Sequence, residues 1–376
     1  MVMVIFMIYL DYSATTKTDD RVLDRFCYVN QHFSANPNSN YKIAYEAKEL
    51  IIDATNAISS YLHVEPEEII YTSGASESNN MVFKGLAAST NKKHIITTHL
   101  EHSSVISTLS YLQQNGYKID FVKLDETGRV DIDDLMNLIT NDTFLVSICA
   151  VDSELGIRQP IEEIGKLLKQ FPDLYFHSDI TQTLGKTDID LTNVDLASFS
   201  GHKIYGFKGI GGLIKKKSVK ITPLIHGGKS TTIFRSGTPQ TELIDSLKTS
   251  MDLLLPNVSK NYEYITELKK MILDFVKDYD NVLINSNDYS IPHILNLSIL
   301  GKNSNQIQRY MAAREIYIST KTACSLTDDY SRSVFELYHD KDRASSSVRI
   351  SLSYKTTKEE ITKFLEVLKG YLNESN

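Results

Sequence analysis

Between residues 69 and 215 short apolar runs alternate with helical patterns. The runs cover 69–71, 94–98, 118–122, 144–151, 174–178, 194–199 and 211–215. Strands alternating with helices over about 150 residues predict an α/β fold with a mostly parallel, doubly wound sheet. In such sheets ligands gather beyond the carboxyl ends of the strands. Ser76, His102, Asp179, Ser200, His202 and Lys203 each follow a predicted strand, so the topology itself brings them toward one crevice.

The flanking segments have their own signals. Residues 19–32 and 44–62 carry helical spacing, and the Asn- and Ser-rich stretch 34–41, with Pro37, reads as a loop. Residues 72–78 form a hydroxyl-rich turn ahead of a helical pattern over 81–88. Strand, small-residue turn and helix together offer N–H groups and a positive dipole end to an anion, although an ordinary helix cap has the same pattern. Further helices are expected at 161–170, 243–254 and 257–278, the last leading into a second lobe. That lobe carries strands near 293–298, 316–319 and 348–351, and helices at 304–314 and 358–372. The N-terminal MVMVIFMIYL is too short to span a bilayer and has no basic leader, so it reads as a buried strand that joins this lobe. Met7 is a second candidate start, because MIYLDYSATT begins cleanly there. A length of 376 residues suits two lobes, expected as a large domain over 15–255 and a smaller α+β domain from 1–14 and 256–376.

A net charge of −7 argues against nucleic-acid binding and against membrane attraction. The three cysteines, Cys27, Cys149 and Cys324, form no CxxC pair and no Cys/His cluster. Neither a disulfide framework nor a metal site is expected, and reduced thiols point to a cytoplasmic protein. Cys27 and Cys149 read as inert structural residues. Cys324 lies in the polar segment STKTACSLTDDYSRS, where a thiolate nucleophile is the better reading.

The run VDLASFSGHKIYGFKGIGG puts Lys203 just past a strand end, among Ser, Gly and His. A solvated loop lysine is the plain reading. An imine-forming amine is the other, because burial or a nearby cation keeps such an amine neutral part of the time. If the imine partner were pyridoxal phosphate, four further groups are needed. Asp179 is placed to hold a proton on the pyridine nitrogen, Gln182 to donate to the phenolic oxygen, and His102 to stack on the ring. Ser76, Ser200, His202 and Thr238 supply hydroxyls and N–H groups for the phosphate. Singly, each has a plainer explanation: Asp179 caps a turn, His102 starts a helix, Thr238 sits in a turn. Their joint occurrence in this order carries the cofactor reading. Arg349, beside Ser345, Ser346 and Ser347, has the planar fork that clamps a carboxylate, against the alternative of a surface ion pair.

These motifs resemble the cysteine desulfurases of the NifS/IscS type, in the class V aminotransferase family with the PLP-dependent transferase fold type I. The likeness runs nearly end to end through YLDYSATT (9–16), NPNS (36–39), YTSGASESNN (71–80), EHSSV (101–105), HSDITQTLGK (177–186), SFSGHKIYGFKGIGG (198–212), RSGT (235–238), ACS (323–325) and SSSVRISLS (345–353). The resemblance implies that Lys203 holds the cofactor and moves protons, that Asp179, Gln182 and His102 contact its ring, and that His102 also serves as a catalytic residue in acid–base steps. It implies a phosphate site made by Ala75, Ser76, Ser200 and His202, with Thr238 coming from the second subunit of a homodimer. Arg349 and Ser153 are the expected substrate contacts for L-cysteine, and Ser153 is an expected cofactor contact as well. Cys324 is the expected persulfide carrier, serving an acceptor such as an iron–sulfur scaffold or a tRNA-thiolation enzyme.

The chain departs from the family in places. Asp152-Ser153-Glu154 stands where Asn-Asn-Glu is usual, which is expected to add a negative charge near the site. Lys42 stands where a His is common, and Lys321 near Cys324 is expected to favour the thiolate. Selenocysteine lyase, cysteine sulfinate desulfinase and a non-catalytic scaffold are the alternative activities.

Overall fold

The computed structural model describes residues 7–320 and 330–373. The chain runs through β1 (Ile8–Tyr9), α1 (Asp20–His32), α2 (Lys42–Leu62), β2 (Ile69–Thr72), α3 (Ala75–Ala87), β3 (His94–Thr97), α4 (Ser103–Gln114) and β4 (Lys118–Phe121). It continues with α5 (Ile132–Leu138), β5 (Thr143–Ser147), α6 (Ile161–Leu168), β6 (Tyr175–Asp179), β7 (Leu196–Ser200), β8 (Gly211–Lys215), α7 (Thr241–Leu254) and α8 (Val258–Val276). The last elements are β9 (Val282–Ile284), β10 (Ile294–Ile299), α9 (Ser304–Ala312), β11 (Ile316–Tyr317), α10 (Arg332–Tyr338), α11 (Lys341–Ser345), β12 (Ser347–Ser351) and α12 (Lys358–Asn373).

Seven strands form the main sheet in the order β2-β8-β7-β6-β5-β3-β4. All pairings are parallel except those of β8, which runs antiparallel to both β7 and β2. The expected mostly parallel, doubly wound α/β sheet is therefore present. Its strands are apolar on both faces because helices cover both. Alternate residues of one strand point to opposite sides. Ile96, Val146 and Phe199 pack with Ile58 of α2, Ile164 of α6 and Met251 of α7. Ile95, Leu145 and Leu213 pack on the other face with Phe83 of α3 and Leu109 of α4.

A separate core gathers Leu268 and Ile272 of α8, Phe364 and Leu368 of α12, and Leu297 and Ile350 of the antiparallel sheet β12-β10-β9. Ile8 and Leu10 join it, since β1 pairs in parallel with β11. Along β12, Val348 and Ile350 enter this core, while Arg349 between them faces the opposite way. The period of two thus turns a single arginine toward the large sheet.

Two local expectations shift. The helix expected over 81–88 starts at Ala75, because Gly74, the cap residue just before it, takes a glycine-type conformation (φ +150°) and Glu77 accepts from Ser73 N at 2.7 Å. The hydroxyl-rich stretch is therefore the first helical turn rather than a loop. α5, α10, α11 and β9 are additions that the sequence pattern did not announce.

The antiparallel strand has a steric price at Gly211. A Cβ there would lie 2.4 Å from the Phe199 carbonyl oxygen and 2.7 Å from Gly74 Cα. Gly211→Ala should lower stability by about 2 kcal/mol through forced backbone separation. Urea unfolding would reveal it as a lowered midpoint, and an unchanged midpoint would contradict the close packing of β2, β8 and β7.

Candidate active site

The lysine turn follows directly from β7. Ser200 ends the strand, Gly201–Lys203 make one short helical turn, and Tyr205 adopts a left-handed conformation (φ 65°) that sends the chain back. The N-terminal turn at 13–16 holds this segment from the other side. Thr16 N and Thr16 Oγ1 each donate to the His202 carbonyl at 2.9 Å, and Tyr205 N donates to Thr16 Oγ1 at 2.8 Å. Lys203 Nζ donates to the carbonyls of Ser13 and Ala14, the latter at 2.7 Å. Ala75 N, at the start of α3, donates to Ser200 Oγ at 2.8 Å, which ties the α3 N-terminus to the same turn. Burial and the nearby Lys203 and Lys208 ammonium groups push His202 down to about 4, so its ring is neutral at pH 7.

Asp179 ends β6 and is buried. Its Oδ1 accepts from Thr181 N at 3.0 Å, and its Oδ2 accepts from Asn79 Nδ2 at 2.9 Å. Gln182 Nε2 donates to the Ser13 carbonyl at 3.0 Å, while Lys186 Nζ donates to Gln182 Oε1. Burial, with the Lys203 and Arg349 charges nearby, holds the Lys186 amine far below the ordinary lysine range. His102 caps α4, and burial lowers its affinity for a second proton despite Asp179.

Arg349 is only 2% exposed. Its Nη2 donates to Asp11 Oδ1 at 2.7 Å and its Nη1 to the Ser153 carbonyl at 2.8 Å. Its Nε is buried without a hydrogen-bond partner among the described residues. A buried, unsatisfied guanidinium N–H is a seat for an anionic ligand atom.

One cleft of about 240 Å³ collects these groups. Ala75, Ser76, His102, Ser153, Asp179, Gln182, Ser200, His202, Lys203 and Arg349 all line it. Of the expected site residues, Thr238 stands apart, in a recess with Tyr71 and Arg235. Cys324 and Lys321 lie outside the described residues. The sequence reading missed Asp11, the Ser13 and Ala14 carbonyls, and Asn79. Asn79 had no distinguishing signal, because it sits in an unbroken polar run from Ser76 to Asn80. Cys149 was read as an inert strand residue. It is part of the cleft wall, but burial and the neighbouring Glu101, Asp152 and Asp179 carboxylates hold its thiol well above the ordinary range, so it stays protonated.

Asp152, expected to add a negative charge near the site, is not itself part of the cleft lining, although its carboxylate is felt at Cys149 in the cleft wall. It folds back into its own turn, where Oδ2 accepts from Glu154 N at 3.0 Å and from Leu155 N, and Oδ1 accepts from Ser333 Oγ at 3.1 Å. Burial and the adjacent Glu154 raise its pKa to about 7.

The arrangement can bind an anion at the α3 N-terminus, present an amine beside a buried carboxylate, and take a carboxylate on Arg349. The aminotransferase class-V family profile matches residues 8–364. A cysteine desulfurase IscS from Rickettsia bellii is 37% identical, with 97% of this chain and 91% of that protein aligned. One from Clostridium botulinum is 36% identical over 96% of this chain and 93% of that protein. Among solved structures, a NifS-like protein superposes with a TM-score of 0.92 at 32% identity, covering 98% of this chain and all of that one. SspA in complex with cysteine superposes at 0.82 and 31% identity, covering 93% of this chain and all of that one.

The turn that carries Ser153 should make stability depend on pH. A buried carboxyl with a raised pKa favours the neutral form in the folded state, so its support is complete in acid and fades as pH rises through about 7. Asp152→Asn keeps an acceptor for both backbone N–H groups and cannot ionise. Between pH 6 and pH 9 the wild type should lose about 1 kcal/mol more stability than Asp152→Asn. Parallel pH profiles in chemical denaturation would show no charged burial at this turn.

Proposed function

The chain belongs to the aminotransferase class-V family, and we propose that it acts as a cysteine desulfurase, converting L-cysteine to L-alanine and passing the sulfur on as a persulfide of Cys324. The observation that carries this reading is the single cleft. An amine, a buried carboxylate, a neutral imidazole, a helix N-terminus and a guanidinium with a spare N–H meet in it.

That donor set fits pyridoxal phosphate. Lys203 would hold it through its amine, and Asp179 would keep the ring nitrogen protonated. Ala75, Ser76, Ser200 and His202 would take the phosphate, assisted by the α3 dipole. Gln182 would donate to the phenolic oxygen, because its Nε2 uses one of two hydrogens on the Ser13 carbonyl. When bound, the cofactor supplies an electron sink for the substrate α-carbon.

The protein's own residues do the rest. Arg349 Nε, with Ser153 beside it, binds the substrate carboxylate and sets its orientation. Lys203 Nζ takes the α-proton and later returns one. The Cys324 thiolate forms a bond to the substrate sulfur as the Cβ–S bond breaks, with the electron pair passing to carbon. Protonation of that carbon completes alanine, and the persulfide stays on Cys324 for an acceptor such as an iron–sulfur scaffold or a tRNA-thiolation enzyme.

A homodimer belongs to this proposal, with Thr238 completing the partner's phosphate site. Supporting it, α1 and α2 expose Leu23, Tyr28, Ile43, Tyr45 and Ile52, and Ile233 is 66% exposed. The division into domains 15–255 and 1–14 plus 256–376 is proposed on the separate cores. Among the described residues no helix is long and apolar enough to cross a membrane, and a cytoplasmic location is proposed.

Purified protein loaded with pyridoxal phosphate should release alanine and, with a reductant, sulfide from L-cysteine. Cys324→Ala should stay yellow while sulfide falls about 100-fold or more. Arg349→Ala should mainly raise KM. A loaded protein that forms no alanine from cysteine would sink the desulfurase reading.

A further inference from the structure

The α3 residue Asn79 and the α4 residue Ser104 lie behind the cleft, not in its lining. Asn79 is fully buried. Its Nδ2 carries two hydrogens and meets two acceptors, Asp179 Oδ2 at 2.9 Å and Ser104 Oγ at 3.0 Å. An ionised Asp179 only accepts, so the amide must turn its nitrogen toward it. Asn79 Oδ1, which has no hydrogen-bond partner among the described residues, agrees with an orientation dictated by those two acceptors.

Ser104 Oγ accepts from Asn79, so its one hydrogen is left for the neighbour at 2.9 Å, His102 Nδ1. Ser104 N also donates to His102 Nδ1, at 3.1 Å. A ring nitrogen that receives two donors carries no proton. The proton of the neutral imidazole must therefore sit on Nε2.

We propose that Asn79 and Ser104 are positioning residues that form one relay, Asp179–Asn79–Ser104–His102, fixing the His102 ring as the Nε2–H tautomer and the Asp179 carboxylate in rotation. The role assigned to this relay rests on the cofactor reading above. It joins the group meant for the ring nitrogen to the group meant for the ring face. A neutral His102 stacks against a protonated pyridine without charge repulsion. Asp179, held at Oδ2 by Asn79 and at Oδ1 by Thr181 N, keeps its charge aimed one way. Of the charged groups around His102, Asp179 on β6 favours its protonation and Lys203 opposes it. The two donors on Nδ1 add a second opposition, which no change of charge elsewhere removes.

The test begins without any variant. In protein labelled with ¹⁵N-histidine and free of cofactor, Nδ1 of His102 should resonate as an unprotonated nitrogen and Nε2 as a protonated one at pH 7. His102→Gln supplies the assignment. Ser104→Ala should raise the pH at which His102 gains a second proton by about one unit, and Ser104→Thr, which keeps the hydroxyl, should restore it. Asn79→Ala should weaken pyridoxal phosphate binding by about 10-fold in equilibrium titration. A protonated Nδ1 in the wild type, or a His102 titration indifferent to Ser104→Ala, overturns the relay. If the NMR and titration results hold while loaded protein makes no alanine, the relay stands and only the desulfurase reading fails.

Discussion

A guanidinium with almost no access to water governs how the cleft is put together. Burying one charge costs several kcal/mol unless a partner and hydrogen bonds answer it. Arg349 on β12 finds them on two other segments, the Asp11 carboxylate and the Ser153 carbonyl. Ser319 adds a backbone pair to Arg349, donating and accepting at 3.1 and 2.7 Å. The N-terminal turn, the turn after β5 and the strand β12 must therefore meet at one point. The cleft forms where they meet, and the Nε left over is what a ligand carboxylate can use.

The N-terminal turn carries a second duty. Its carbonyls at Ser13 and Ala14 receive Lys203 Nζ, and Ser13 also receives Gln182. Thr16 clamps the backbone of His202 and Tyr205. A short loop far from the lysine in sequence thereby sets the lysine's reach. Because Asp11 lies in the same turn, the amine and the guanidinium are positioned by one element rather than two.

Desolvation sorts the charges around this point. His102, His177, His202 and His293 are all held below the ordinary histidine range, chiefly by burial. Glu101, whose pKa burial raises to about 8, and Asp152 are pushed toward the neutral form. Glu101 Oε1 accepts from Cys149 N at 2.7 Å and from Thr98 Oγ1 at 3.2 Å, which ties the segment after β5 to the one after β3. Neutral imidazoles surround the groups whose charge the chemistry needs, in a setting where each remaining charge acts strongly.

Local signals determined a good deal of this. The alternation of apolar runs and helices specified a mostly parallel sheet, and a sheet of that kind puts the residues after its strands on one edge. Asp179, Ser200, His202 and Lys203 could be gathered from the linear chain for that reason. Arg349 was recognisable from motif likeness, since guanidinium chemistry is a property of the residue itself, whereas Ser153 stands where the family usually has Asn. Contacts between segments far apart in the chain were decided only by the tertiary structure. Asp11 reaches Arg349 across 338 positions, and Asn79 reaches Asp179 across 100. Asp152, one residue from the cleft, turns its carboxylate away because two backbone N–H groups and Ser333 compete for it. Residue type states what a side chain can donate or accept, but the partner that satisfies it depends on which segments packing brings within about 3 Å.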